Sequence, residues 1–266
     1  MLKNKDEVIQ QYCNDSNLAK RISIHELYSE NPKGFYHWLF EQYELKENDK
    51  ILELGCGNGM QWKKQMKNLP KDCSLTLSDF SRGMVEKVQL LYGEYDCVDF
   101  VQIDAHQIPY PDHSFDCIIA NHMLYHVEDI QKVLMEVSRV LKEDGVFYAS
   151  TNNQYGLRHY INQSLVVALG KEDQNFSEEI SFHSGNGEKI LSQFFPKVNR
   201  IDYKDSLLIP KSEILIDWMK SSIGAADYTE QEWEFLDHHF KTELERNQCI
   251  VIAKDSVLFI AKKKDS

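Results

Sequence analysis

The residues best suited to hold a ligand lie in three short stretches. The first is Ile51-Leu52-Glu53-Leu54-Gly55-Cys56-Gly57-Asn58-Gly59. Its apolar positions read as a short buried strand, the glycines as a tight turn, and Met60 to Asn68 as the start of a helix. Glycine lets the backbone approach a ligand with no Cβ in the way. The unpaired N–H groups of a helix end favour a polar or anionic group there. The same pattern also serves an ordinary strand-to-helix turn. The spacing is G-x-G-x-G, with Glu53 two residues before the first glycine. That is neither the dinucleotide fingerprint G-x-G-x-x-G nor the phosphate loop G-x-x-x-x-G-K-[ST].

The second stretch ends at Asp79, which closes the alternating run Leu75-Thr76-Leu77-Ser78. It stands twenty residues past Gly59, where a carboxylate reaches a ribose diol in nucleotide-binding α/β units. A carboxylate accepts hydrogen bonds from both hydroxyls. Asp79 could instead cap the helix Arg82 to Leu91, unless Ser81 takes that place. The third stretch is Asp104-Ala105-His106, after the apolar run Val98 to Ile103. An acid there can pair with the exocyclic amine of adenine, or serve only as a turn residue. Each strand end suits one part of an adenosine, and the three together make a stronger case than any one.

Read in order, E-L-G-C-G-N-G, S-D-F-S-R-G-M, D-A-H-Q-I-P-Y-P-D-H-S-F-D and R-V-L-K-E-D-G-V-F make the chain resemble class I S-adenosylmethionine-dependent methyltransferases. It is most similar to the small-molecule enzymes of the ubiquinone/menaquinone-biosynthesis type. The resemblance is close over residues 35–152 and looser beyond. It implies an α/β fold, a Rossmann-like seven-stranded sheet with strand 7 antiparallel and helices on both faces. It implies S-adenosyl-L-methionine as cofactor, held by the loop residues Glu53, Gly55, Cys56, Gly57 and Gly59. It further implies Asp79 at the ribose, Phe80 and Met84 around the adenine, and Asp104, Ala105 and His106 at the adenine edge. Asn121, after strand 4, falls near the methionine part.

Methyl transfer from a sulfonium is an in-line displacement by an already activated donor, so alignment and exclusion of water dominate. A base is needed only when the nucleophile arrives protonated. Asn121-His122-Met123-Leu124-Tyr125-His126 points from the carboxyl end of the sheet, where ligands of open α/β sheets bind. His122 or His126, with Tyr125 between them, could take a proton from the acceptor. Either histidine could instead only pack or hydrogen-bond. As a metal pair they lack a third ligand at matching spacing, and no metal is expected. The resemblance argues against DNA-amino and glutamine methylation, because no N-P-P-[FY] follows strand 4. A nicotinamide oxidoreductase would need the longer glycine spacing. A silent cofactor-binding module stays open as an alternative.

The elements that must position these residues fit one α/β domain with a modest cap. The chain has 266 residues, of which 42% are hydrophobic, enough for a sizeable core. No run approaches the ~20 apolar residues of a membrane helix. The start, Met1 to Asp6, has no signal-peptide core, and the six cysteines include no C-x-x-C pair. Both features point to reduced thiols in the cytoplasm. A net charge of -12 argues against a nucleic-acid substrate. The expected partner is a small-molecule acceptor, with no membrane, for a monomer or homodimer.

Residues 1–34 read as an N-terminal helical lid segment, with Ile9, Tyr12 and Cys13 on one face and Ile22, Ile24, Leu27 and Tyr28 on another. The methyltransferase domain is expected over 35–266, with its core at 48–152 and cap insertions at about 153–195 and 211–248. Phe35 to Leu45, Asp129 to Leu141, Tyr160 to Leu169, Glu188 to Phe195, Glu213 to Ser222 and Gln231 to Asn247 read as helices. Val146 to Ser150, Val198 to Ile209 and Val257 to Lys262 read as strands 5, 6 and 7. The extra helices form a helical lid or simply pad the core.

Overall fold

The computed structural model describes residues 23–25, 27–153, 155–173, 176, 181–222 and 227–264. Ile9, Tyr12, Cys13 and Ile22 lie outside the described residues. The chain divides into two compact units. A sheet unit takes 35–152, 181–203 and 256–266, and a helical unit takes 1–34, 153–180 and 204–255.

The sheet unit holds β1 (Lys50–Leu54), β2 (Ser74–Asp79), β3 (Val98–Gln102), β4 (Phe115–Asn121), β5 (Leu141–Asn152), β6 (Lys197–Tyr203) and β9 (Ser256–Lys262). Their order is β3-β2-β1-β4-β5-β9-β6. The first five are parallel, and β9 runs antiparallel to both β5 and β6. This is the seven-stranded, Rossmann-like sheet with an antiparallel last strand that the resemblance implies. Parallel strands bury both faces, and β1 beyond its exposed first residue, Lys50, is apolar on both, except at Glu53. Leu52 and Leu54 join one core with Val133, Leu134 and Val137 of α3 (Ile130–Val140). Ile51 joins the opposite core with Trp38 and Leu39 of α1 (Phe35–Gln42) and Val88 and Tyr92 of α2 (Arg82–Tyr92). The short α5 (Gly187–Leu191) completes the unit, with Leu191 in the first core.

Three segments depart from the sequence pattern. After Gly59 there is no regular helix but two 3-10 turns, Met60–Trp62 and Met66–Asn68. Three-residue hydrogen bonds, such as Trp62 N–H to the Gly59 carbonyl at 3.0 Å, run through them. The tight winding lets the adjacent pairs Gln61-Trp62 and Gln65-Met66 all turn inward. The strand expected over Val198 to Ile209 breaks at Lys204-Asp205: β6 stays in the large sheet, and β7 (Ser206–Ile209) pairs with β8 (Ile250–Ala253). Finally, α3 ends at Val140 and β5 begins at Leu141, with an irregular register between Phe115 and Cys117 that absorbs Asp144-Gly145.

The helical unit packs α4 (Leu157–Leu169), α6 (Ser212–Lys220) and α7 (Glu230–Asn247) with the antiparallel β7–β8 pair around Ile161, Leu165, Leu215, Leu236 and Phe240. Gly170, at φ 68, stops α4 in the left-handed conformation that glycine adopts freely. Ser29 bridges to Leu207 on β7. Asp205, at the break, accepts from Ser29 Oγ at 2.5 Å, from the Asn31 N–H at 3.0 Å and from the Ser206 N–H at 2.8 Å. Lys254 Nζ lies 3.1 Å from the same carboxylate. Among the described residues, no helix is long and apolar enough to cross a membrane.

Candidate active site

The carboxyl ends of β1, β2, β3 and β4 carry the residues singled out above. β1 runs into Gly55, Gly57 and Gly59, all in the left-handed region at φ 69, 55 and 74. The three differ in what surrounds them. A Cβ on Gly55 would lie 2.7 Å from Met123 Cβ, and one on Gly59 would lie 2.7 Å from the Tyr92 ring. A Cβ on Gly57 would meet no atom within 4 Å. The flanking glycines are therefore required by the protein's own packing, whereas Gly57 faces open space. The loop is pinned from outside by Tyr92, whose hydroxyl donates to the Gly59 carbonyl at 2.7 Å.

Asp79, at the end of β2, reaches back to this loop. One oxygen accepts the Gly57 N–H at 2.9 Å and the other the Ser81 N–H at 2.8 Å. Burial raises its carboxyl above the usual range, and the two N–H bonds counter that. Ser81, not Asp79, stands at the cap position of α2, although its side chain makes no cap bond. Asp79 bonds the cap residue's own N–H and not a helical one. A carboxylate has about four lone-pair sites, so two accepted bonds leave room for a diol. Phe80 and Met84 follow at once; Met84 is buried, and the Phe80 carbonyl accepts from Gln102 Nε2 at 2.9 Å.

At the end of β3, Asp104 turns the chain. Its Oδ1 accepts the His106 N–H at 3.0 Å and lies 2.6 Å from His106 Nδ1. His106 Nε2 in turn accepts the Asp129 N–H at 3.3 Å. That acceptor role puts the ring proton on Nδ1, facing Asp104. Ala105 is buried between them in sequence.

Glu53 is the buried acid of the group. Its Oε2 accepts from Trp62 Nε1 at 2.6 Å, and the Asn121 amide also donates to it. Burial is the largest influence and, with Asp79 nearby, pushes its carboxyl up to about 7 despite those two hydrogen bonds. Burial likewise raises the Cys56 thiol. Asn121 Nδ2 donates to the Tyr43 hydroxyl at 2.9 Å, and its Oδ1 accepts from Ser150 Oγ at 3.0 Å. Tyr43 and Ser150 are thus partners of the site that sequence reasoning missed.

The segment after β4 places His122 at φ 50, a conformation uncommon for a side chain with a Cβ. The Ser150 carbonyl accepts its N–H at 3.0 Å, and its ring packs on Phe35 with centroids 4.9 Å apart. Tyr125 and His126 follow on a 3-10 turn, with rings 4.5 Å apart; the Tyr125 ring is 6.4 Å from that of His122. Among the described residues, no group of three or more His, Cys, Asp or Glu is arranged to hold a metal.

A family described as a methyltransferase domain matches residues 52–149. The chain is 31% identical over 149 residues to a Bacillus subtilis protein named "Putative methyltransferase YrhH", covering 53% of this chain and 81% of that one. The chain belongs to the S-adenosylmethionine-dependent methyltransferases. It is an enzyme of that class, and S-adenosyl-L-methionine is its cofactor. The sterol 24-C- and ubiquinone/menaquinone C-methyltransferases it also matches are covered over only 30% to 47% of their length. In fold, the methyltransferase resembles the solved YcgJ protein of B. subtilis (TM-score 0.58, 18% identity, 86% of this chain and 98% of that one). It also resembles a phosphoethanolamine N-methyltransferase of Haemonchus contortus solved with S-adenosyl-L-methionine (TM-score 0.61, 14% identity, 98% and 60%).

Proposed function

We propose that this methyltransferase moves the methyl group of S-adenosylmethionine to a small molecule by in-line displacement, with the cofactor on the glycine loop of β1. The observation that carries the placement is the open side of Gly57 beside a half-buried Asp79 that already grips the loop. A ligand backbone fits where a Cβ would otherwise point. In this reading Gly55, Cys56, Gly57 and Gly59 face the cofactor, Asp79 takes the ribose diol, and Phe80 and Met84 flank the adenine. Asp104, Ala105 and His106 meet the adenine edge, while Glu53 and Asn121 serve the methionine end. The cofactor supplies a methyl group on a positively charged sulfur.

The chain's task is then to align the acceptor and keep water out. His122, Tyr125 or His126 receives the acceptor's proton where there is one to lose. The segments expected to cap the reaction, 1–34, 153–195 and 211–248, keep that role here. The net charge of -12 and the small acceptors named for the sterol, quinone and phosphoethanolamine relatives support a small-molecule substrate. The cysteine usage supports the cytoplasm, and we take the working form to be a monomer or homodimer.

Calorimetry with S-adenosylmethionine, S-adenosylhomocysteine and NAD tests the site. The first two should bind and NAD should not. Asp79→Ala should weaken binding about ten- to a hundredfold, the worth of a charge-assisted hydrogen bond at roughly 1.5–3 kcal/mol. Gly57→Val should abolish it. Normal binding by both variants, with circular dichroism unchanged, would move the cofactor elsewhere.

A further inference from the structure

The acid below the glycine loop stands in unusual company. Glu53 is 2% exposed, and the side chains that donate to it, Trp62 and Asn121, are neutral. The titratable groups that face it are Asp79 at the end of β2, Cys56 in the loop, Tyr92 on α2 and Tyr43 after α1. None of these carries positive charge. A buried carboxylate with donors but no cation is costly to ionise. The cofactor brings positive charge to this loop. On the proposed placement, it supplies what the protein omits.

We propose that Glu53 gives up a proton to solvent when the cationic cofactor enters, and that Tyr43, acting through Asn121, sets how readily it does so. Tyr43 lies outside the matched family region of 52–149. Its hydroxyl is 2.9 Å from Asn121 Nδ2. Ser150 Oγ holds the other end of the amide at 3.0 Å. The amide is therefore fixed at both ends, with an N–H directed at Glu53. Tyr43 touches no reacting group and is a positioning residue. Its ring is held in turn by Tyr148, with centroids 4.9 Å apart.

The inference rests on the placement of the cofactor given above, and the experiment separates the two. Titration calorimetry of the full chain with S-adenosylmethionine, in buffers of different ionisation enthalpy, counts protons released. A carboxyl near 7 should release about half a proton at pH 7 and almost none at pH 8.5. Glu53→Gln should remove that release while retaining any exchange by the cofactor's own amino group. Tyr43→Phe loosens a donor that favours the ionised form. It should lower affinity several-fold at pH 7, recover at pH 8.5, and move the release to higher pH. A variant merely loosened in structure would stay weak at both. Difference infrared spectroscopy of the unmodified protein, showing loss of a carboxylic-acid band on binding, gives the same answer without a variant. Equal release by Glu53→Gln, or none by the unmodified protein, overturns the proton link. If Gly57→Val also binds normally, the placement falls and the link falls with it.

Discussion

Among the described residues, each unit fully buries one carboxylate, and the two are treated in opposite ways. In the helical unit, Asp205 receives Ser29, two backbone N–H groups and the Lys254 ammonium. Burial alone would raise its carboxyl, but these partners outweigh it and hold it below the usual carboxylate range. In the sheet unit, Glu53 has two neutral donors and an acidic neighbour, and its carboxyl rises to about 7. Glu53 lies deeper, and it also lacks the cation that Asp205 has, so depth and partners together set the charge. One acid is a permanent anion that ties chain segments together. The other stands ready to change.

The contrast predicts a hierarchy of effects. The largest belongs to Lys254→Ala, which leaves Asp205 buried without its cation and should cost about 3–5 kcal/mol. Urea unfolding at pH 7, with hydrogen exchange of the β7–β8 pair, measures it. A cost under about 1 kcal/mol would mean that Ser29 and the backbone groups hold the charge unaided.

Next comes Glu53→Gln, with the opposite sign. A carboxyl raised in the folded state binds its proton more tightly there than in the unfolded chain. It therefore destabilises progressively from about pH 4.5 to 7 and by a constant amount above. Glutamine keeps an acceptor for Trp62 and does not titrate. In the free protein at pH 8 it should be more stable than the parent by roughly 3 kcal/mol, and near pH 4 equal to it. Parallel stability curves from pH 4 to 8 would break the comparison. Asp205 runs the other way: its contribution is complete above about pH 4 and fades as pH falls through its lowered folded value.

The smallest effect serves as a baseline. Asp129 accepts the Lys132 N–H at 3.0 Å as the cap of α3. Asp129→Ala should cost about 1 kcal/mol by thermal unfolding, with no change in pH profile between 6 and 8.

The three strand-end motifs were legible because their chemistry is local: a glycine turn, or an acid two residues from the N–H it accepts. The seven-stranded sheet and its antiparallel last strand were expected from the family resemblance that these motifs carry. The partners of Asn121 were not legible. Tyr43 is 78 residues away and Ser150 is 29, and no local pattern marks a tyrosine that will meet an amide. The same holds for the break after Tyr203. Val198 to Ile209 alternates well enough to read as one strand, but Asp205 is drawn inward by a lysine 49 residues on. The helix expected after Gly59 failed because Trp62 turns inward to Glu53, a pairing that depends on burial and not on propensity.

The Asp205 cluster also sets a timetable for synthesis. The Lys254 ammonium donates to the His25 carbonyl across 229 residues. At ~5–20 residues per second, the ribosome finishes that partner on the order of 10–50 s after the earlier segment has emerged. Strands β1 to β5 lie within one unbroken stretch and can pair as they appear. The segment around Ser29 is made before β1 to β5 and waits for Lys254, made after all five, to anchor it.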